Sequence, residues 1–471
     1  MKSVLLIYSE HDPPHNKLDS GYKHEPPSLG LTTLENIVKK EMPDVNIKII
    51  DGRFSTTEEI KKEIKKEYDF VGYGDLFFNH NNTLKYVQFT RENSPKSKIL
   101  VGNVNGEALG VKLLKNKLVD YVIAQYGEAA LLSLLKETNQ KNKIINIPHN
   151  INKLPTLNFD TFKKYIKQWD SRQKDYNIDK ITPFPISTTR GCIKALKKDL
   201  CMFCSTPYNA VKVLSPKNFW KMVESLNKYG INYFFETGDD FLIGEYPQKV
   251  LRERPSHLEN VYFRFYGDLD AVTKKRMEIL KELNLRDFFI GLENVDEKIL
   301  TNMKKRYDIN YDNFNDIFSK YDILESLGIN FYIPILLGTK DESSESLNKN
   351  KEFIKEASKR YSYLTKVYAD IVVPTPGAQL FDELLKNEKI LQDYKKYYLK
   401  MHEDEQNADL NKAIKFDYPL LMKLMIKYTT KTNITEILET KQEMLESASK
   451  YMIETPINFG MFSFEKYSYV K

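Results

Sequence analysis

Short apolar segments alternate with amphipathic ones twice along this chain, and that alternation constrains its fold more than any other feature. In the first 140 residues, helical patterns separate five strand-like segments, at residues 3–8, 45–50, 70–73, 99–101 and 121–124. Strands that alternate with helices form parallel sheets with helices on their faces. The sequence therefore predicts a doubly wound, Rossmann-like α/β domain over residues 1–140.

The alternation resumes after residues 141–180, which we interpret as a linker with one short helix near residues 159–167. Six further strands are predicted, at residues 186–189, 233–237, 261–266, 288–292, 331–336 and 367–373. Six βα units favour a partial (β/α)6 barrel over residues 181–377. A Pro-Thr-Pro-Gly turn ends this run, and residues 378–471 are predicted to form a mainly helical extension.

Composition and charge exclude several classes of protein. Hydrophobic residues make up 41% of the chain and charged residues 29%, which is typical of a soluble enzyme. No apolar run approaches the ~18 residues of a membrane span, and the start of the chain lacks the features of a signal peptide. The net charge of +6 is a small difference between 71 basic and 65 acidic residues. Because no basic stripe is concentrated anywhere, we expect no nucleic-acid partner.

Three cysteines, Cys192, Cys201 and Cys204, lie in one short segment. An odd, clustered set is not a disulfide framework and indicates a reducing cytoplasm and a metal or cluster site. Three thiolates can hold three irons of a cubane cluster and leave the fourth iron open. Zinc is an alternative if a distant histidine, such as His149 or His257, completes its four ligands. Buried structural cysteines are a third possibility.

The motifs of residues 181–385 resemble, in order and spacing, those of the radical S-adenosylmethionine (SAM) superfamily. The usual motif there is C-x3-C-x2-C, whereas this chain has C-x8-C-x2-C, with an eight-residue insert between the first two cysteines. The resemblance implies that Cys192, Cys201 and Cys204 bind a [4Fe-4S] cluster whose open iron chelates SAM.

The resemblance also implies which later residues contact SAM. Phe203 precedes the last cysteine and matches the aromatic residue that packs on the adenine. Gly238-Asp239-Asp240 resembles the segment that contacts the amino group, because an ammonium and a sulfonium need nearby acceptors. Arg264 is the candidate partner of the SAM carboxylate. Glu293, in the Gly-Leu-Glu segment, is expected to reach the cofactor as well.

In combination with that barrel, residues 1–140 resemble the cobalamin-binding domain of the cobalamin-dependent radical SAM class. The matching pieces are Pro26-Pro27-Ser28-Leu29-Gly30-Leu31, Asp51-Gly52, Val71-Gly72-Tyr73, Val101-Gly102-Asn103, and the run from Asp120-Tyr121 through Tyr126-Gly127-Glu128. A D-x-H-x-x-G motif, which supplies a histidine to cobalt, is absent, and Asn103 stands where the family usually has a second glycine. The cobalamin contacts that the resemblance implies are Leu76, Phe77, Asn103, Asn105, Gly127 and Glu128.

The resemblance implies a cytoplasmic C-methyltransferase that acts on an unactivated carbon. In that class a 5′-deoxyadenosyl radical takes a hydrogen atom, and methylcobalamin then delivers a methyl group. The substrate is a peptide, a protein or a small molecule, and a residue of methyl-coenzyme M reductase is one candidate. The expected electron donor is a ferredoxin or flavodoxin. The parity of the strand faces suggests substrate contacts at Tyr262, Tyr266, Tyr332 and Asp370.

Two other functions stay open from the sequence. The first is a radical SAM enzyme that catalyses a rearrangement or cyclisation without methyl transfer. The second is a cobalamin-binding or zinc-stabilised scaffold without catalysis.

Overall fold

The computed structural model describes residues 2–12, 26–138, 141–155, 157–175, 183–311 and 313–448. The strands of its N-terminal unit are β1 (Ser3–Tyr8), β2 (Asn46–Asp51), β3 (Phe70–Gly74), β4 (Lys98–Gly102), β5 (Tyr121–Ile123) and β6 (Ile144–Ile145). Its helices are α1 (Leu29–Glu41), α2 (Thr57–Ile64), α3 (His80–Asn93), α4 (Asn103–Lys115) and α5 (Gly127–Leu135). All six strands pair in parallel, in the order β2-β1-β3-β4-β5-β6. The predicted Rossmann-like architecture is confirmed.

Local sequence explains these elements. The interior strand β1 is an unbroken apolar run from Val4 to Ile7, as expected of a parallel strand that is covered on both faces. Thr56 and Glu59 form a reciprocal capping box that begins α2. Gly110 lets α4 approach β5, because a Cβ atom there would lie 2.6 Å from the Val122 side chain.

The segment that the sequence assigns to a linker contributes more structure than expected. Its Ile144 and Ile145 form β6 at the edge of the first sheet. A two-residue strand carries too little periodicity to be recognised in a sequence. The expected helix lies further along the chain, as α6 (Lys163–Asp175), and buries Tyr165, Ile166 and Trp169.

A second parallel sheet follows. Its strands are β7 (Phe184–Ile186), β10 (Tyr233–Glu236), β11 (Tyr262–Asp268), β12 (Leu285–Gly291), β13 (Asn330–Leu337) and β14 (Leu364–Ile371), and the short strands β8 (Thr189–Arg190) and β9 (Lys212–Val213) form a separate hairpin. The intervening helices are α7 (Ile193–Leu196), α8 (Pro216–Asn227), α9 (Tyr246–Arg252), α10 (Lys274–Glu282), α11 (Glu297–Asn302), α12 (Asn315–Leu327) and α13 (Ser344–Arg360). The sheet order, β14-β13-β12-β11-β10-β7, places the first and last strands at opposite edges, which is the predicted partial barrel.

The first barrel strand is shorter than the sequence suggests. We expected one strand over residues 186–189, but the chain leaves the sheet after Ile186 and starts β8 at Thr189. The buried carboxylate of Glu236 accepts hydrogen bonds from the backbone N–H and the hydroxyl of Thr188, at 2.7 and 2.8 Å. This side chain therefore takes the place of the strand pairing that would continue β7.

The two faces of the second sheet differ in chemistry. Phe263 and Phe265 of β11 face the helices, and Phe263 packs against Phe219 and Trp220 of α8. The alternate residues of the same strand, such as Arg264, face the inside of the barrel. The interior is therefore lined by polar and aromatic groups rather than by aliphatic side chains alone.

The remaining helices are α14 (Gln379–Leu384), α15 (Glu388–Tyr398), α16 (Glu405–Ala408), α17 (Tyr418–Thr429) and α18 (Ile434–Ser447), which confirms the predicted helical extension as far as it is described. α18 packs on α13 and β14. The segment before α17 reaches the N-terminal unit, where Lys112 donates to the carbonyls of Leu410 and Ala413 at 3.1 Å. Among the described helices, none is long and apolar enough to cross a membrane.

We expect the buried carboxyl of Glu342 to make stability depend on pH. Burial raises its pKa from 4.5 to about 7, although backbone hydrogen bonds from Gly338 and Thr339 oppose the rise. Between those pH values the folded state holds more protons than the unfolded state, so the free energy of unfolding falls as pH rises. Glu342→Gln should therefore gain stability relative to the wild type between pH 5 and pH 8, by on the order of 2 kcal/mol.

Urea unfolding at the two pH values measures this change. Glu345→Gln, at an exposed neighbouring position, is the matched control and should follow the wild type. The same pH dependence in Glu342→Gln and in the wild type would contradict the assignment.

Candidate functional site

The three cysteines lie on a loop that follows the carboxyl end of β7. Gly191 separates Cys192 from the end of β8, and α7 lies between Cys192 and the pair Cys201 and Cys204. The antiparallel pairing of β8 with β9 closes the loop at its base. The backbone N–H of Cys204 donates to the carbonyl of Cys201 at 3.0 Å, which turns the chain between these two thiols.

The thiols share one partly buried space. All three are free, and each is partly exposed. Burial raises the pKa of the Cys204 thiol to about 11, and Cys201 and Cys192 beside it add to the rise. Burial also raises the pKa of Cys201, while Lys305 and Lys194 oppose that effect. Within the described ranges, no three His, Cys, Asp or Glu side chains are placed to hold a single metal ion.

This donor set fits an iron–sulfur cluster. Thiolate is the protein ligand that [4Fe-4S] clusters use, and a metal deprotonates a coordinating thiol despite its raised pKa. A cubane distributes its cysteine ligands over different irons. Three neighbouring thiols that are not placed to bind one and the same metal ion therefore suit a cubane.

Gly191 and Asp239 hold the cysteine loop in place. Gly191 has a φ of +88°, and a Cβ atom there would lie 2.1 Å from the carbonyl oxygen of Ala210. Its N–H donates to one carboxylate oxygen of Asp239 at 2.6 Å, and the hydroxyl of Thr206 donates to the other at 3.2 Å. Asp239 therefore joins the two ends of the cysteine segment. Burial raises the pKa of its carboxyl.

Gly238 and Asp240 contact β8, the strand that leads into the same loop. A Cβ atom on Gly238 would lie 2.5 Å from the hydroxyl oxygen of Thr189, so only glycine allows this approach to β8. The N–H of Asp240 donates to the same hydroxyl at 2.9 Å. The structure thus places the predicted Gly-Asp-Asp segment beside the cysteines, and its contact with SAM stays a prediction.

A chain of alternating charges crosses the mouth of the barrel. Lys305 lies 2.7 Å from the carboxylate of Glu293 and 3.1 Å from that of Asp268. Lys194 lies 3.0 Å from Asp268 and 3.8 Å from the sulfur of Cys201. Burial alone would lower the pKa of Lys305, but the neighbouring carboxylates raise it well above its usual value. The network keeps both signs of charge next to the thiols.

The sequence predicted one of the residues in this charged network and missed two. Glu293 was a predicted site residue, and it adopts a left-handed φ of +69° at the end of β12. Asp268 was missed, although its position at the carboxyl end of β11 is where barrel enzymes place functional groups. Lys305 was also missed. The predicted Phe203 has its ring centre 5.9 Å from the Lys305 ammonium, which places it in this site as well.

Arg264 lies at a different level of the barrel. It precedes Asp268 by four residues on the same strand, which is roughly 13 Å along an extended chain. Its guanidinium donates to the hydroxyl of Tyr332 at 2.9 Å and lies 3.5 Å from the carboxylate of Asp287. The structure therefore does not bring Arg264 to the cysteines, because strand position along the barrel axis cannot be deduced from an isolated arginine.

The candidate substrate contacts are spread along the barrel interior. The hydroxyl of Tyr266 donates to the carbonyl of Gly238, close to the loop. Asp370 lies 3.1 Å from Lys441 of α18, and Tyr262 is exposed at the start of its strand. Of these residues, Tyr266 is the one that touches the segment bracing the cysteines.

A second site lies at the carboxyl edge of the N-terminal sheet. It is a cleft that contains about 1080 Å³ of empty space, part of it open to solvent. Five glycines and several aliphatic side chains contribute to its lining: Gly30, Gly72, Gly74, Gly102, Gly127, Leu6, Leu31, Leu34, Leu100, Val101, Val104, Ile123 and Leu131. The glycines let a ligand lie close to the backbone, and the other walls are apolar. Both features fit the flat, largely apolar tail of a cobalamin.

The predicted cobalamin contacts divide into two groups. Asn103, Gly127 and Glu128 line the cleft. Asn103 has a φ of +72°, a left-handed conformation that asparagine tolerates better than most residues, which explains how it replaces a glycine.

The other group lies outside the lining of the cleft. The side-chain amide of Asn105 donates to Asp75 at 3.2 Å and lies 2.8 Å from Nδ1 of His80. The ring of Phe77 packs edge-on against Tyr418 at 6.0 Å, and Leu76 packs against the hydrophobic core. Phe77 and Tyr418 are more than 300 positions apart in sequence, so no local pattern could have predicted their contact.

The cleft and the cysteine loop share a wall. Arg190, Pro207 and Tyr208 come from the cysteine segment and line the cleft beside Glu128. Arg190 donates two hydrogen bonds to the carboxylate of Glu128, one of them at 3.0 Å. Burial alone would raise the pKa of Glu128, but Arg190 lowers it, so the pair is held in its charged form.

A family comparison agrees with the barrel and its thiols. The family model described as the radical SAM superfamily matches residues 186–349. This match confirms the resemblance found in the sequence for the barrel, and residues 186–349 form a radical SAM domain. Members of that superfamily use a [4Fe-4S] cluster and SAM. No curated protein sequence matches the chain significantly.

Solved structures show where the complete fold occurs. The chain is similar to the cobalamin-dependent SAM radical enzyme OxsB with aqua-cobalamin bound, at 19% identity and a TM-score of 0.59 over 83% of this chain. It spans 56% of the OxsB chain. It is also similar to the radical SAM methyltransferase TsrM from Kitasatospora setae with cobalamin and a [4Fe-4S] cluster bound. That match has 13% identity and a TM-score of 0.62, and it covers 96% of this chain and 100% of TsrM. At these identities the likeness establishes a shared fold.

We expect Gly191→Ala to impair cluster loading. The substitution places a methyl group against the Ala210 carbonyl. It also requires alanine to adopt the left-handed conformation of Gly191, which by itself costs on the order of 1 kcal/mol. Gly230→Ala is the matched control, because Gly230 has a φ of +85° but no atom within 4 Å of the added Cβ. Iron per chain after anaerobic reconstitution should fall in Gly191→Ala and not in the control. Equal iron content in the two variants would show that the loop does not need this close approach.

Proposed function

We propose that this chain is a cobalamin-dependent radical SAM C-methyltransferase that acts on an unactivated carbon. The observation that carries the proposal is the shared wall between the cysteine loop and the glycine-lined cleft. A methyl donor bound in the cleft and a cluster bound by the loop would face the same space. The fold of two solved enzymes of this class supports the same arrangement.

We assign the metal-binding role to Cys192, Cys201 and Cys204. Bound there and in the cleft, the cluster, SAM and cobalamin would supply hydrogen abstraction and a transferable methyl group. The protein's contribution is to position these groups and to keep water away from them. Gly191 and Asp239 fulfil the first task by fixing the loop to the barrel.

The charged network at the barrel mouth would bind the amino-acid part of SAM. Its ammonium and sulfonium need negative charge nearby, which Glu293, Asp239 and Asp240 supply. Its carboxylate needs a cation. Lys305 is close to the thiols and is better placed for that role than Arg264. Phe203 and Gly238 border the same site and remain our candidates for the adenine and the backbone contact.

The cleft would hold cobalamin through shape rather than through a histidine ligand. Gly127 and Glu128 begin α5 at the rim, and Asn103 begins α4 on the neighbouring strand end. Leu76 and Phe77, after β3, stay candidates for the face of the corrin ring. Asn105 supports this region through Asp75 and His80.

The barrel interior is our candidate for the substrate space. The rings of Phe289 and Tyr368 contact each other at 5.7 Å, and Tyr266 lies opposite Phe289 in the register of the neighbouring strand. Aromatic side chains at this place would keep water out of the space in which substrate and cofactors meet. The substrate class remains the prediction from the resemblance: a peptide, a protein or a small molecule, with a residue of methyl-coenzyme M reductase among the candidates.

Cys201→Ala tests the cluster assignment. Loss of one of three thiolates should reduce SAM cleavage by more than about 100-fold, since even second-shell changes at metal sites cost up to that factor. The readout is 5′-deoxyadenosine formed with dithionite as reductant, together with iron content. Met202→Leu, a volume-conserving change at the adjacent buried residue, should keep both.

The products separate the proposed function from its alternatives. A methylated product with S-adenosylhomocysteine supports methyl transfer. Turnover of SAM and substrate without either product would favour a rearrangement or cyclisation. Colourless protein with one zinc per chain and no iron would favour the scaffold.

Gly30→Phe tests the cobalamin cleft. The position lines the cleft, and the nearest atom to an added Cβ is 3.9 Å away, so a phenyl ring would extend into the empty space. We expect cobalamin to bind at least about tenfold more weakly, with unchanged iron content, and Gly30→Ala to bind as the wild type does. Cobalt and iron analysis of anaerobically reconstituted protein measures both. Undiminished cobalt in Gly30→Phe would place the cobalamin elsewhere.

A further inference from the structure

The insert between Cys192 and Cys201 exposes apolar side chains next to the thiols. It begins with α7, on which Ile193 is 37% exposed and Leu196 is 53% exposed. A four-residue helix that left these two side chains in water would lose the free energy that their burial provides. The pair therefore suits a protein contact.

The same insert carries uncompensated positive charge. Lys197 and Lys198 follow α7 and are exposed, and within the described residues neither forms an ion pair. Lys194 is already engaged by Asp268, at 3.0 Å. Asp199 is the single acid among the eight inserted residues. We refer to Ile193, Leu196, Lys197 and Lys198 as the insert surface.

The insert surface lies next to the thiols of the candidate cluster site. α7 begins at the residue after Cys192, and Lys194 on the same helix lies 3.8 Å from the Cys201 sulfur. The opposite side of the loop is filled by the barrel, where Asp239 holds Gly191. Electron transfer slows steeply with distance, and a donor protein bound to the insert would lie next to these thiols.

We propose that the insert surface is the docking site of an acidic electron-donor protein, of the flavodoxin class. Its lysines complement a negative partner surface, and its apolar pair supplies the contact at the centre. In the step that follows docking, the anionic hydroquinone of the flavin loses one electron to become the neutral semiquinone, and the oxidised cluster gains that electron. The inference rests on the proposed function in so far as these cysteines hold the cluster.

The test variant is Lys197→Glu/Lys198→Glu. Lys115→Glu/Lys117→Glu is the matched control, because it changes the net charge equally at exposed positions at the far end of α4, roughly 20 Å from its start at the rim of the cleft. Binding of flavodoxin to each holoenzyme is measured directly by biolayer interferometry at low and high salt. SAM cleavage is measured with flavodoxin hydroquinone and, separately, with dithionite.

We expect the insert variant to bind flavodoxin at least about tenfold more weakly at low salt and to lose a similar factor in flavodoxin-driven SAM cleavage. With dithionite it should match the wild type, and the control should match it in every assay. Wild-type binding and flavodoxin-driven rates in the insert variant would overturn the proposal. So would a change confined to self-association, which would indicate that a second copy of this chain covers the surface.

The proposed function and the docking proposal are contradicted by different results. If the wild type does not cleave SAM with dithionite, the proposed function is contradicted. The binding measurement still decides whether the insert surface docks an acidic redox protein.

Discussion

The buried ion pair between Arg190 and Glu128 is the interaction on which the arrangement of the two sites depends. Arg190 directly precedes Gly191 and Cys192, and Glu128 lies at the start of a helix at the rim of the N-terminal cleft. Their side chains are 19% and 4% exposed. A buried charge without its partner is costly, so either residue is stable in this place only when the two units meet. The pair thus fixes the distance between cleft and loop.

The same geometry follows from the two parallel sheets. Parallel strands place their functional loops at one edge, and here the carboxyl edges of both sheets border the space between the units. The acids at the barrel mouth then have two tasks. Asp239 accepts hydrogen bonds that shape the cysteine loop, whereas Asp268 and Glu293 keep Lys305 charged beside the thiols. A site that binds a zwitterionic cofactor needs both signs of charge, and this network supplies them in a small volume.

Sequence reasoning was most successful where one local pattern determines structure. The alternation of short apolar segments with amphipathic ones predicted both parallel sheets, and the spacing of three cysteines predicted their common loop. It was least successful where structure depends on distant partners. Glu236 ends β7 early through Thr188, and Asn105 is engaged by His80 and Asp75. Two residues of strand β6 are too short a signal for any periodicity.

The position of a side chain along the barrel axis could not be predicted from the sequence either. Arg264 and Asp268 belong to the same face of one strand, but one pairs with Asp287 inside the barrel and the other with lysines at the mouth. Parity predicts the face of a strand, and the register between strands decides the level. Register here includes irregularities between β11 and β12 and between β13 and β14, which shift one strand against the next.

The most direct test of the central claim is the Mössbauer spectrum of anaerobically prepared, ⁵⁷Fe-labelled protein before and after addition of SAM. Three cysteines that hold a cubane with one open corner predict about four irons per chain, one of which changes its isomer shift when SAM is added. A spectrum that SAM leaves unchanged, with all four irons equivalent, would show that the fourth corner is closed and would contradict the account.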